Sequence, residues 1–360
     1  MLWTQKTKND KKYQLPKDIL IRRGTENDEI SSFEVMRRSM GFEMAWDHHE
    51  KFRHHLRKST GCSFWLAEEQ GRFGKPKTVG YVRCVVRDRV LCITEFFVLP
   101  GYHRRGIGGS LLNRCKEEGA SEGIDTHLVL ASHHPGANSL YIRKLSCTPR
   151  VPMMLLAGPL SRLRTPKEHF RPVRDTLLPF AFPPPQPLPS ELDYLLVAEP
   201  ILLTPEIETR MEALDREIVG YGRSTDHRHW VSEMGGEDGA SRLFRKATID
   251  ENGKEQIGEI VGYGYLGSFL SGPALALNSA DLPSILSHIS ALARTKINSD
   301  DELDFIMPSE QYWAVAGTNA ITLRWLLECG WEITFHYLFM SSKPMGKLEN
   351  YICHNPLYVL

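Results

Sequence analysis

Residues 95–118 read Glu-Phe-Phe-Val-Leu-Pro-Gly-Tyr-His-Arg-Arg-Gly-Ile-Gly-Gly-Ser-Leu-Leu-Asn-Arg-Cys-Lys-Glu-Glu. A strand-like run ends at Val98-Leu99, a glycine-rich turn follows, and a helical pattern starts at Gly109. Gly106, Gly108 and Gly109 carry no β-carbon, so successive backbone N–H groups are presented with little obstruction. The helix start adds unsatisfied N–H groups and the positive end of its dipole. That order of parts suits a pyrophosphate, and Arg104 and Arg105 add charge beyond what the backbone supplies. A dinucleotide fold also uses a glycine-rich strand-to-helix turn. Here, however, the spacing is not G-x-G-x-x-G, and three antiparallel-looking strands precede the turn.

Titratable side chains flank this loop. Glu95 lies three residues before Val98, and a carboxylate there could take a proton from a nucleophile. A Glu of ordinary pKa, about 4.3, is a poor base at neutral pH unless burial raises it. His133 and His134 are rival bases, because imidazole titrates in the useful range. Further on, Asn138-Ser139-Leu140-Tyr141-Ile142-Arg143-Lys144-Leu145 reads as a short helix that carries a phenol.

The elements that must position these groups alternate. A strand at Ile19–Ile21 precedes helices at Glu26–Met40 and Asp47–Arg57. Strands at Ser63–Ala67, Thr78–Val86 and Leu91–Val98 follow, then the loop and its helix, a strand at His127–Leu130, the Tyr141 helix and a strand at Met153–Leu156. Seven of the eighteen residues from Pro172 to Pro189 are proline, which excludes helix and central strand and reads as a connector. Beyond it a similar order returns. A strand at Tyr194–Leu203 leads to helices at Pro205–Val219 and Asp226–Met234. Strands at Arg242–Thr248, Glu259–Tyr265 and Ala274–Leu277 precede a helix at Leu282–Arg294. A strand at Asp304–Met307, a helix at Ala320–Glu328 and a strand at Glu332–Met340 complete the second unit. The expected fold class is α/β with a mixed sheet, in two tandem copies of one unit. The division expected is a tail at 1–17, a first domain at 18–158, a proline-rich linker at 159–192, a second domain at 193–345 and a tail at 346–360.

The loop resembles the pyrophosphate loop of the GNAT superfamily of acyl-CoA N-acyltransferases, R/Q-x-x-G-x-G/A. His103, Gly106 and Gly108 take the first, fourth and sixth places, with His103 standing where Gln or Arg is usual. The segment Asn138–Cys147 resembles the family's late helix, with Ser146-Cys147 in place of Gly-Phe. The resemblance implies acetyl-CoA as acyl donor, held by Phe97, Val98, His103, Arg104, Arg105, Gly106, Ile107, Gly108, Gly109, Ser110 and Asn138. It implies that the Val98 N–H faces the thioester oxygen, that Tyr141 protonates the leaving thiolate and that Glu95 faces the acceptor. The chemistry needs no covalent intermediate, only a neutral amine, a polarised thioester and acid–base groups in one ternary complex.

The second copy resembles a degenerate GNAT unit. Asn319–Trp331 matches the late helix with its Gly-aromatic end. Where the phosphate loop should be, Ala276–Pro283 has no glycine and carries Asp281, which opposes a phosphate. This copy is expected not to hold CoA in the family's manner, and Tyr312, Trp313 and Trp331 are candidates for substrate contact.

Forty-four basic and 44 acidic residues cancel, so nothing draws the whole chain to nucleic acid or an anionic membrane. No run approaches the ~18 apolar residues of a membrane span. Seven scattered cysteines without a C-x-x-C pair, and a polar start without a secretory pattern, suggest free thiols and a cytoplasmic location. Asp226-His227-Arg228-His229 points its rings to different helix faces, so no metal site is expected. The sequence therefore suggests an acetyl-CoA-dependent N-acetyltransferase acting on a small-molecule amine, with a protein lysine as another acceptor to consider. A CoA-responsive binding protein without turnover, or an acyltransferase using another acyl group or acceptor, is the alternative.

Overall fold

Strands rich in Val, Ile and aromatic residues alternate with amphipathic helices and hydrogen-bond into one fourteen-stranded sheet. The computed structural model describes residues 15–41, 55–56, 61–71, 75–167, 170–177, 193–234, 239–252, 254–266, 271–298 and 310–353. The first half contains β1 (Ile19–Arg23), α1 (Glu29–Met40), β2 (Cys62–Glu69), β3 (Lys77–Arg87), β4 (Val90–Val98), α2 (Ile107–Ser121), β5 (Thr126–Ala131), α3 (Pro135–Leu145) and β6 (Thr148–Gly158). The second contains β7 (Val173–Asp175), β8 (Leu195–Pro200), α4 (Pro205–Ile218), α5 (Ser224–Met234), β9 (Arg242–Ile249), β10 (Glu255–Leu266), β11 (Ser271–Ala276), α6 (Leu282–Asn298), β12 (Gln311–Ala316), α7 (Ala320–Glu328), β13 (Glu332–Ser341) and β14 (Tyr351–Cys353).

The order across the sheet is β1-β2-β3-β4-β5-β13-β6-β12-β14-β11-β10-β9-β8-β7. The two halves exchange a strand. β13 pairs antiparallel with β5 of the first half, and β6 pairs antiparallel with β12 of the second. β6 and β13 also pair with each other, through nine residue pairs from Glu332↔Ala157 to Ser341↔Thr148. The exchange turns two sheets into one and draws Met153 and Phe339 into a core shared by both halves.

The repeat is visible residue by residue at the third strand of each unit. Val79-Gly80-Tyr81 on β3 and Val261-Gly262-Tyr263 on β10 are matched in place, because Leu99 N–H donates to Val79 O and Leu277 N–H donates to Val261 O. Gly262 and Gly264 let β10 pass close beneath α6. A β-carbon at either would stand 3.0–3.1 Å from Ile289 or Ile285.

Most expected elements are present within a few residues of their expected bounds. The helix expected at Asp47–Arg57 lies outside the described residues except for 55–56, which are helical, and the strand expected at Asp304–Met307 lies wholly outside them. An additional strand, β12, stands at Gln311–Ala316. The proline-rich stretch begins with β7, which pairs only with β8 at the sheet's edge, where a strand tolerates proline neighbours. Before it, Leu160 and Leu163 are buried in the second half's core, and Asp175 at the end of β7 binds Arg242 and His288.

Charged side chains tie the halves together. Asp226 on α5 is fully buried and accepts from Arg87 Nε and Nη2 at 2.7 Å each, with His55 Nε2 at 2.7 Å. At the surface, Arg216 and the Gly222 N–H hold Asp88. Among the described residues no helix is long and apolar enough to cross a membrane.

Candidate active site

The parallel strands β4 and β5 pair from Val90↔Thr126 to Ile93↔Val129 and no further. The cause of the parting lies on the opposite side of β4. Against β3 the register slips between Cys84↔Ile93 and Arg83↔Glu95, leaving Thr94 as a bulge whose hydroxyl donates to Arg83 O at 3.2 Å. A bulge bends and twists its strand, and here it turns the end of β4 away from β5. Antiparallel pairs alternate between bonded and non-bonded positions. Because Leu99 N–H bonds to Val79 O, the peptides of Phe97 and Glu95 face β3, whereas those of Phe96 and Val98 face the opening. The Val98 N–H is therefore free of the β3 ladder and turned to the side where β4 and β5 part. The Phe97 N–H is turned toward β3, and Phe96 supplies the second peptide of the opening.

The glycine loop closes one end of this slot. A short 3-10 turn, Pro100–Tyr102, leads to Arg104 and Gly106, both left-handed at φ 62° and 83°, and α2 starts at Ile107. The left-handed φ at Gly106 excludes most side chains. Ser110 N–H is the first to bond back within the helix, to Gly106 O at 3.0 Å, so the N–H groups ahead of it lack intrahelical acceptors. A β-carbon on Gly108 would stand 2.9 Å from the Phe96 ring and 3.1 Å from Leu140, so glycine lets α2 seat against β4 and α3. Gly109 has ordinary clearance, 3.6 Å to Lys144. Ile107 anchors the turn in the core, while Arg104 and Arg105 are exposed, with Arg105 over the Tyr102 ring at 4.9 Å. His103 is exposed and folds back, its Nε2 2.8 Å from the Val98 carbonyl.

On the α2–α3 face of β4, Tyr141 is buried and its ring tilts against Phe96 at 5.8 Å. Burial raises its pKa above the ordinary phenol value, so it holds its proton across the neutral range. Asn138 donates from Nδ2 to Ser132 O at 3.0 Å, and its Oδ1 is buried without a partner among the described residues. That leaves one unused acceptor beside the slot.

On the α1 face stands Glu95, 2% exposed, accepting from Arg83 Nε at 3.2 Å. Arg83 Nη2 donates to both oxygens of Glu29 on α1, at 2.8 and 2.9 Å, and its guanidinium covers Phe64. Sequence reasoning missed Arg83, although a lone arginine inside the apolar run Gly80–Val86 was its signal. Glu95 and Tyr141 thus lie on opposite faces of β4, with the slot between them. Of the loop histidines, His134 Nδ1 accepts from Ala137 N–H as the cap of α3, and its ring stands 5.5 Å from that of His103. His133 instead packs against β13, with ring centroids 4.7 Å from Phe335 and 4.0 Å from His336.

In the second half both parts of this site are filled by the chain itself. β14 enters between β11 and β12, pairing Leu275↔Tyr351 and Val315↔Ile352, in the place that stays open between β4 and β5. At the start of α6, Asp281 is buried and bound by Tyr194 Oη at 2.8 Å and Arg171 Nε at 3.3 Å. A carboxylate occupies the helix end where a phosphate would sit. Trp313 and Trp331, considered above for substrate contact, are stacked at 4.6 Å in the core and unavailable, while Tyr312 is exposed. Asp226 and His227 have separate buried partners, and among the described residues no three His, Cys, Asp or Glu side chains are grouped to hold a metal.

A mixed sheet with a bulged, parted central pair and a glycine loop opening a helix defines an acyl-CoA-dependent transferase fold. Residues 29–145 match the model of the Acetyltransferase (GNAT) family. Residues 29–145 belong to the GNAT family, the chain as a whole has the fold of two tandem GNAT units, and it is an acyl-CoA-dependent N-acyltransferase. No curated protein matches it by sequence. Among solved structures, a GCN5-related N-acetyltransferase from Sphaerobacter thermophilus is similar over 94% of this chain and all of its own length, at 13% identity and TM-score 0.54. An acetyltransferase candidate from Pyrococcus horikoshii is similar over 96% of this chain and 95% of its own, at 14% identity and TM-score 0.59. A GCN5-related glucosamine N-acetyltransferase region of a fungal multi-domain GH3 beta-N-acetylglucosaminidase is similar over 90% of this chain and 38% of its own, at 13% identity and TM-score 0.58. At these identities the likeness is one of fold.

Proposed function

We propose that this chain moves an acetyl group from acetyl-CoA to an amine on a small molecule, by direct attack in a ternary complex within the first half, residues 18–158 completed by β13. The observation that carries the reading is the parting of β4 from β5 at Thr94, with the Phe96 and Val98 peptides turned into the opening and the α2 start at its end. The pyrophosphate lies on the N–H groups at Gly106–Gly109, with Ser110 in the same first turn and Arg104, Arg105 and His103 beside it. The pantetheine arm lies along Phe96–Val98 and meets the unused Asn138 Oδ1. The thioester oxygen takes a hydrogen bond from the slot-facing peptides, which stabilises the charge developing on it. The amine nitrogen attacks the carbonyl carbon, the C–S bond breaks, Tyr141 gives its proton to the departing sulfur, and the proton lost by the nitrogen returns through water to the Tyr141 oxygen.

Glu95 is held by Arg83, so its part is to fix a charged floor on the acceptor side rather than to act as a free base. The second half has its equivalent slot closed by β14 and its helix end taken by Asp281, so one acetyl-CoA binds per chain. The experiment is thiol release from acetyl-CoA across a panel of primary amines. Amine-dependent release of free CoA is expected. Binding of acetyl-CoA with no release from any amine would establish instead a CoA-binding protein without turnover.

A further inference from the structure

β13 outruns its partner on β5. Its last pair with β5 is Leu338↔Ala131, whereas residues 332–337 pair only with β6. This overhang carries Phe335 and His336 into solvent, and the ring of His133, from the segment just beyond β5, packs on both. Phe335 also meets the partly buried ring of Tyr337 at 4.6 Å, while Phe335 and His336 stand 6.2 Å apart and are bridged by the His133 ring from the first half. Phe335 keeps 37% of its surface exposed and Ile333 beside it 47%.

The surface adjoins the acyl slot. Counting on from Ile93↔Val129 with Thr94 bulged out, Val98 stands level with about His133. The contact of His134 with His103, which itself reaches the Val98 carbonyl, fixes the same level independently. Exposed rings are stacking platforms for flat apolar groups, and clustered ones seldom sit on a surface without use. Resting on the acyl-transfer reading above, we propose that His133, Phe335 and His336 form the acceptor subsite, and that the acceptor is an amine bearing a planar aromatic ring. The ring stacks on the platform and the amine reaches the thioester carbonyl at Val98. The second half then has a direct part in the site, since the strand it lends carries two of the three rings.

The test uses the full chain, acetyl-CoA, and two probes of equal reach, 2-phenylethylamine and 2-cyclohexylethylamine. The expected result is a KM about tenfold lower for the phenyl compound. Phe335→Ala should raise that KM about tenfold, with kcat within twofold, the cyclohexyl KM unmoved and acetyl-CoA affinity unchanged. His336→Ala, at a more exposed position, should raise it severalfold, and Phe335→Tyr should restore it. Equal KM values for the two probes, or variants that leave the phenyl KM unmoved, overturn the proposal. Turnover of other amines but of neither probe overturns the aromatic acceptor and leaves acyl transfer standing. No turnover of any amine overturns both.

Discussion

Asp226→Asn is the perturbation that most directly tests how the halves are joined. Asp226 is fully buried and its carboxylate is shared between Arg87 and His55, both contributed by the first half. Burial by itself would raise its pKa. Hydrogen bonding and charge from Arg87, then His55, outweigh burial and hold the carboxyl well below the usual carboxylate range. Asn keeps the shape and one acceptor but removes the buried negative charge that faces the guanidinium, itself 5% exposed. Removing one partner of a buried pair costs about 3–5 kcal/mol, and Asn belongs at the lower end, about 3 kcal/mol. For a large domain, at about 2 °C per kcal/mol, the midpoint of thermal unfolding should fall by about 6 °C at pH 7. Because the folded pKa is depressed, this stabilisation is complete above about pH 4 and is lost as pH falls below that value. The gap between wild type and variant should therefore close in acid. Scanning calorimetry at pH 7 and pH 3 reads both effects. A shift under 2 °C at neutral pH, or a gap of equal size at both, would refute the claim that this pair holds the halves together.

Gly106→Val places a β-branched residue at φ 83° and should weaken acetyl-CoA binding at least tenfold by calorimetry, while circular dichroism stays that of the wild type. Tyr141→Phe should lower kcat about a hundredfold and leave acetyl-CoA affinity within twofold, as measured by thiol release and calorimetry. Because burial raises the Tyr141 pKa, the wild-type rate should show no decline from phenol ionisation as pH rises to about 10. Glu95→Gln breaks a buried ion pair with Arg83 and should lower the unfolding midpoint by several degrees along with the rate, a coupling that a merely solvent-facing base would not show.

Much of this was legible in the sequence because it is local. The glycines, the helix start, the alternation of strands and helices, and the loss of the loop at Ala276–Pro283 all follow from neighbouring residue types. The repeated Val-Gly-Tyr of β3 and β10 was open to the same inspection and marks the two copies in register. Features that depend on distant partners were not legible. Nothing in Ile93-Thr94-Glu95 shows that Thr94 will bulge, since the slip is defined by β3. The Arg83–Glu29 contact spans 54 positions, and the exchange of β6 and β13 spans nearly half the chain. The strand Gln311–Ala316 reads as an aromatic surface until Trp313 is seen stacked on Trp331. Closure of the second slot by Tyr351–Cys353 depends on three residues that carry no motif.

Calorimetric titration of the full chain with acetyl-CoA tests the central claim most directly, because it counts sites and locates them. One site per chain is expected, lost on Gly106→Val and retained on Asp281→Asn. Two sites per chain, or one site indifferent to Gly106 and lost with Asp281, would contradict it.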